Sequence, residues 1–328
     1  MSMVVRTRPI LKGTVIAPLI GLILVLVLAA ITTPSFYSID VARLVLFQVG
    51  VIGIAALGQT FVLLLGGIDL SISGVISLTS VILAVYTAGA NERLGVGMLL
   101  AVLAGIAVGV VNTALIVVRN VPPFVATFAS FVLIQGIIIM WTGGAPSGRI
   151  PEDLSWLGTG RILELPVVLF LFAILAVFAA LMLGRTTAGR RIYATGLNAQ
   201  AARMSGIRVG LVVLSGYVIA SLSGVLTGFV NAGFIGYVDA ALVRNLDLNS
   251  VAAAVIGGVA LTGGKGRIGQ TVIGVALLAS LLTWLVQLGA GGGTQLVVSG
   301  VVILLAVWLQ GTRFHRRNHP ASPEKGMP

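Results

Sequence analysis

Leu57-Gly58-Gln59-Thr60-Phe61-Val62-Leu63-Leu64-Leu65-Gly66-Gly67-Ile68-Asp69-Leu70-Ser71-Ile72-Ser73-Gly74 sets one acid between two long apolar runs. Uncharged residues extend from 44 to 68 on one side of Asp69 and from 70 to 91 on the other. Either run can carry a helix across the ~30 Å hydrocarbon core, which takes about 20 residues at ~1.5 Å each. A carboxylate in lipid is costly and is tolerated when buried in protein or beside a water-filled path. Gly66 and Gly67 permit a helix break, and Ser71 is a candidate N-cap for the helix that follows. Two readings stand: a broken element beside a translocation path, or a tight cytoplasmic hairpin capped by Asp69.

The same pattern runs through the chain. Of its 328 residues 58% are hydrophobic and only 9% charged, whereas a soluble domain carries about 25% charge to wet its surface. A soluble fold is excluded. Glycine, at 43 residues, is about twice its usual share and favours helices whose backbones approach closely. The chain has no cysteine, which rules out disulfides and thiolate metal sites, and its two histidines lie in the C-terminal tail. No metal site is expected.

Consecutive charges bound uncharged stretches at 13–31, 44–68, 70–91, 94–118, 120–148, 165–184, 209–238, 248–264 and 268–312. The last is long enough for two spans, with Gly289 to Gly293 as its turn, so about ten transmembrane helices are expected, some short or broken. The first apolar run is too long for a signal-peptide core and reads as an uncleaved helix. With both termini cytoplasmic, fifteen basic residues fall inside and five outside, the bias that sets membrane orientation. The net charge of +11 is thereby a topological signal and does not point to nucleic acid. The fold class expected is an all-α polytopic membrane protein: a cytoplasmic segment 1–12, a transmembrane domain 13–312 and a cytoplasmic basic tail 313–328.

Two further segments carry more than hydrophobicity. In the longest inner loop, about 185–208, residues 196–207 read as a short helix with Asn198 as N-cap and Gly206 at the C′ position. Such a helix suits either docking into a protein groove or an interfacial connector held by arginines. The other segment, Gly257-Gly258-Val259-Ala260-Leu261-Thr262-Gly263-Gly264-Lys265-Gly266, invites a phosphate-loop reading. The required outer glycine is Val259 and the required hydroxyl is Gly266, so a nucleotide site is excluded and a glycine hairpin between spans is expected. Glu152 and Asp153 are read as a solvated outer loop, and no Ser/His/Asp arrangement exists in the membrane region. An enzyme is not expected.

These three motifs, in this order, are similar to those of the membrane-spanning permease subunits of ribose-type (simple sugar) ABC importers. The resemblance runs from about residue 44 to 310. It rests on Gly58-Gln59-Thr60 with Gly66-Gly67-Ile68-Asp69-Leu70-Ser71, on Gly196, Asn198, Ala201, Ala202, Ser205, Gly206 and Ile207, and on Gly257, Gly258, Gly263, Gly264 and Gly266. Ser73 and Gln270 depart from the family, which commonly has glycine at both.

The resemblance implies a pair of spanning subunits, here a homodimer, on cytoplasmic ABC ATPase subunits in the bacterial inner membrane. A periplasmic sugar-binding protein would deliver the solute. ATP and Mg²⁺ would sit on the partner ATPase, and no cofactor would be bound by this chain. The 196–207 segment would then couple the ATPase to the spans, and Gln59, Thr60, Gly66, Gly67, Asp69, Ser71 and Asn249 would border the translocation path. A branched-chain amino acid permease and an ion-coupled carrier using Asp69 are the alternatives.

Overall fold

A computed structural model describes residues 12–144, 148–237 and 246–315. The expected terminal segments 1–12 and 313–328 therefore lie almost wholly outside the described residues. Thirteen helices make up nearly all of the described chain: α1 Lys12–Thr32, α2 Ile39–Leu64, α3 Ser71–Thr87, α4 Leu94–Thr113, α5 Pro123–Thr142, α6 Glu152–Thr159, α7 Val167–Arg185, α8 Thr187–Leu197, α9 Ala199–Met204, α10 Val209–Ile235, α11 Leu246–Gly257, α12 Ile268–Gln287 and α13 Gly292–His315. The described strands are one two-residue hairpin, Arg161–Ile162 with Leu165–Pro166. Glu152 and Asp153, read as loop, instead open α6, where acids favour a helix N-terminus.

Six helices are long and apolar enough to cross a membrane, and four shorter apolar ones accompany them. Each uncharged stretch delimited by the charges holds one of these ten, with α12 and α13 sharing the last. The chain is a multi-pass membrane protein.

The centre of the bundle is α2 against α10. Every residue of α2 from Gly50 to Leu64 is buried, as expected of a helix apolar on all sides. Its crossing with α10 depends on Gly58, where a Cβ would come within 2.7 Å of Ser223 Cβ and 2.9 Å of Ala220 Cα. On the periphery, α5 and α7 turn large apolar side chains outward, among them Leu133 and Phe178, as lipid-facing surfaces require.

Five helices stop in the same way. At Gly66, Gly143, Gly206, Gly258 and Gly289 the backbone turns left-handed, with φ of 81°, 63°, 78°, 109° and 78°. In each, the next residue's N–H reaches back five residues, as in Gly67 to the Val62 carbonyl and Ile207 to the Ala202 carbonyl, both 3.0 Å. This is the Schellman stop, in which glycine takes the left-handed position without a Cβ penalty. Much of the glycine excess is thus punctuation.

The Gly58 approach has a measurable consequence. Gly58→Leu should destabilise the detergent-solubilised protein by about 2–3 kcal/mol through overpacking. Gly95→Leu, where no neighbouring atom lies within 4 Å, should leave thermal unfolding nearly unchanged.

Candidate functional site

After Gly66 the chain does not turn straight into the next helix. Residues 67–70 are non-helical and run beside α10. The Gly216 Cα faces Leu65, the Tyr217 hydroxyl sits over Gly67, and Gly224 packs on Ile72 and Val75. Asp69 is therefore level with α10 about two to four turns beyond its start at Val209. This register favours the broken element over a surface hairpin.

Five helices hold the break. Asp69 Oδ1 accepts from the Ser71 N–H at 2.8 Å and from the Ser71 hydroxyl. Ser71 Oγ accepts from Asn112 Nδ2 of α4 at 2.9 Å, and Asn112 Oδ1 accepts from the Ser130 hydroxyl of α5 at 2.6 Å. The Thr127 hydroxyl, also on α5, donates to the Ile68 carbonyl at 3.1 Å. From α2 the Gln59 side-chain amide, oriented to match its surroundings, donates to the Asp69 carbonyl and accepts from the Asp69 N–H, both at 3.1 Å. The Tyr217 ring of α10 closes the remaining side.

Asp69, Ser71, Gln59, Asn112 and Thr127 are all fully buried. Ser71, expected as the N-cap, is the first helical residue, and the capping oxygen belongs to Asp69. An Asp two residues before the bonded N–H offers the same acceptor as a capping serine, with a charge suited to the helix N-terminus.

A second helix begins beside the first. The Ser73 hydroxyl donates to Asp247 Oδ1 at 3.0 Å, and the Asp247 N–H donates to Ser73 Oγ at 2.8 Å. The short helices α3 and α11 thus meet first turn to first turn, each with an aspartate at its start. Asp247 was not among the candidates read from sequence. Asn249, half-buried on α11, accepts from the Ser299 hydroxyl at 3.3 Å. Thr60 is buried and bonded to the Ala56 carbonyl at 2.6 Å and to Thr271 Oγ1 at 2.8 Å.

The three glycine-bearing motifs converge at the end of the bundle that carries α8 and α9. The Gly264 N–H donates to the Leu64 carbonyl at 2.8 Å. A Cβ at Gly196 would collide with that same carbonyl, and one at Gly263 would lie 2.8 Å from the Gly196 carbonyl and 2.9 Å from the Gly66 N–H nitrogen. Gly257 is pressed in the same way onto the Gln270 carbonyl. The Tyr193 hydroxyl of α8 donates to the Gly266 carbonyl at 2.8 Å. Burial raises its pKa above the ordinary value, only partly offset by Arg267, so it remains a donor at neutral pH.

Gly196 lies on α8 and not on the short helix expected to start there; α9 covers only Ala199–Met204. The Asn198 cap stands, its Oδ1 accepting from the Ala201 N–H at 2.9 Å, as does Gly206 at C′. Ala202 is buried beneath α9, while Ala201, Ser205 and Met204 are exposed and Ile207 is half-buried. The hairpin closes on itself through the Ala260 N–H and the Lys265 carbonyl at 2.9 Å.

This arrangement, broken helices in the interior joined by bare backbone to a surface helix pair, is that of a membrane transport component. The chain belongs to the family described as branched-chain amino acid transport system / permease component, whose model matches residues 41–307. It is 33% identical over 293 residues to the ribose import permease protein RbsC of Escherichia coli (strain K12), covering 88% of this chain and 91% of that one. With RbsC of Bacillus subtilis (strain 168) it shares 34% identity over 301 residues, 90% of this chain and 92% of the relative. The autoinducer 2 import system permease protein LsrC of Shigella flexneri is 29% identical over 296 residues, 90% and 86% of the two lengths. No solved structure matches the chain.

If Asp69 serves as a cap, its shape matters more than its charge. Asp69→Ala should lower stability by about 1–2 kcal/mol, the usual worth of a cap. Asp69→Asn keeps the accepting oxygen and should stay within a few tenths, as read by thermal unfolding in detergent.

Proposed function

We propose that this chain is the spanning subunit of an ATP-driven importer that passes a small sugar. Two full-length relatives named for ribose import support sugar over branched-chain amino acids. In this reading ten spans place both termini, α8 and α9 in the cytoplasm of a bacterial inner membrane. Two copies stand on ATPase subunits that hold ATP and Mg²⁺, a periplasmic binding protein supplies the solute, and this chain catalyses no reaction of its own.

The contact of Gly196 with the Leu64 carbonyl carries the reading. An ATPase that moves α9 moves α8 with it, because Asn198 is at once the end of one helix and the cap of the other. Through Gly196 that displacement reaches the end of α2, and through Gly263 and Gly264 it reaches the hairpin between α11 and α12. Both broken elements are thereby driven from one place, as alternating access between two discrete packings requires.

Gln59, Thr60, Gly66, Gly67, Asp69 and Ser71 shape the border of the path, the side-chain oxygens of Thr60 and Ser71 and Oδ1 of Asp69 being already bonded within the protein. Asp247 and Asn249, half-buried at the junction of the two short helices, offer carboxylate and amide groups to a hydroxylated solute. The ion-coupled alternative is disfavoured by the capping role of Asp69, whose Oδ1 is already engaged by Ser71.

Gly196→Val supplies the test. In proteoliposomes containing the permease, its ATPase and its binding protein, ATP hydrolysis should persist while sugar uptake falls at least about tenfold, the sensitivity expected when a positioning contact is displaced by ~1 Å. Accumulation of sugar by the permease alone under a proton gradient would overturn the assignment.

A further inference from the structure

A cavity of about 490 Å³ opens at the junction of α8 and α10, lined by Ala188 and Arg191 of α8, by Gly206, and by Arg208, Leu211, Val212 and Ser215. The residues of α10 repeat at helical spacing, so one face of that helix forms a wall. Composition changes along it. At the start of α10 the lining holds the Arg208 guanidinium, with that of Arg191 from α8, and one turn further along it becomes Leu211 and Val212. The Ser215 hydroxyl bonds to the Val212 carbonyl at 2.7 Å and leaves that end apolar in character.

Neither Arg191 nor Arg208 forms an ion pair among the described residues, where the ion pairs all involve Arg43. Both are exposed. Arginine presents a planar fork that matches phosphate oxygens, and Leu211, though apolar, is 56% exposed. A charged mouth leading onto an apolar wall at the start of a 27-residue membrane-crossing helix fits an amphiphile with an anionic head.

We propose that this groove binds the phosphate headgroup of an anionic phospholipid, with Arg191 and Arg208 on the phosphate and an acyl chain along Leu211 and Val212. An acidic patch of a soluble partner would also complement the arginines, but the groove lies at the first turns of a long apolar helix, where headgroup and acyl chain are the adjoining chemistry. The site lies where Gly206 ends α9 and α10 begins, so a lipid seated there ties the coupling helix pair to the membrane surface. Which solute is carried has no bearing on it.

Native mass spectrometry of the delipidated full-length permease tests this, with phosphatidylglycerol and phosphatidylcholine as probes. Phosphatidylglycerol should bind preferentially. Each of Arg191→Gln and Arg208→Gln should weaken it about fivefold and the pair about 25-fold, the worth of basic residues near an anionic surface. The Arg191→Lys, Arg208→Lys pair, which keeps the charge, should bind within a few-fold of the parent and shows that losses in the glutamine pair are not misfolding. Leu211→Trp, which obstructs the apolar wall, should weaken the lipid while the arginines stay.

Arg185→Gln, outside the groove, should have no effect; a loss equal to that of the groove arginines would overturn the site in favour of diffuse surface charge. Displacement of the lipid by millimolar inorganic phosphate would overturn the lipid assignment and leave a free phosphoryl site. Unchanged lipid binding with lost ATPase association would overturn it in favour of a protein contact.

Discussion

The Leu64 carbonyl is the constraint on which this architecture turns. A helix that ends inside a membrane protein leaves its last carbonyls without partners, and lipid offers none. An unmet carbonyl in such surroundings costs several kcal/mol. The left-handed turn at Gly66 satisfies the carbonyls of Val62 and Leu63 locally, but Leu64 must be met from elsewhere. The Gly264 N–H meets it, which requires the hairpin to lie against the end of α2 with nothing between. Gly196 then covers the pair so closely that no side chain fits. Three segments, each more than sixty residues from the next in sequence, are thereby obliged to share one small volume.

The break beyond Gly66 is stable for the same reason. Four bare residues in a bundle interior carry four peptide groups, and each needs an answer. The side chains of Gln59 and Thr127 answer for Asp69 and Ile68, while Asp69 and Ser71 begin the next helix. Asn112 and Ser130 extend the chain of bonds so that α4 and α5 are bound to the same point. A connected polar network in a low-dielectric interior fixes geometry more firmly than apolar packing alone, and here it leaves Asp69 Oδ2 and the Tyr217 hydroxyl as buried atoms without a hydrogen-bond partner among the described residues. Its position next to α11 then places Asp247 against Ser73, and the two short helices are held end to end.

Much of this was legible in the amino-acid order, and the limits have physical causes. Charges are too costly in lipid to occur at random, so their spacing marks the apolar helices directly. The Asn198 cap and the Gly206 stop were readable because capping is local, decided within five residues. Ser71 reads as the cap because Asp69 and Ser71 are both capping residue types two positions apart at the start of α3, and spacing alone does not separate them. The role of Gly196 was hidden for a different reason: its partner is the Leu64 carbonyl, 132 residues earlier, and a main-chain contact leaves no complementary residue type to find. Asp247 was not singled out because its partner, Ser73, lies 174 residues earlier in the chain.

The joint between α2, α8 and the hairpin is made of peptide groups, and it asks of the side chains only that they be absent. Its specification is a volume, not a chemistry. Side chains elsewhere in the bundle can therefore change in size, polarity and charge without touching that joint. A scaffold of this kind is modular in a mechanical sense: the surrounding side chains can be exchanged while the joint is kept.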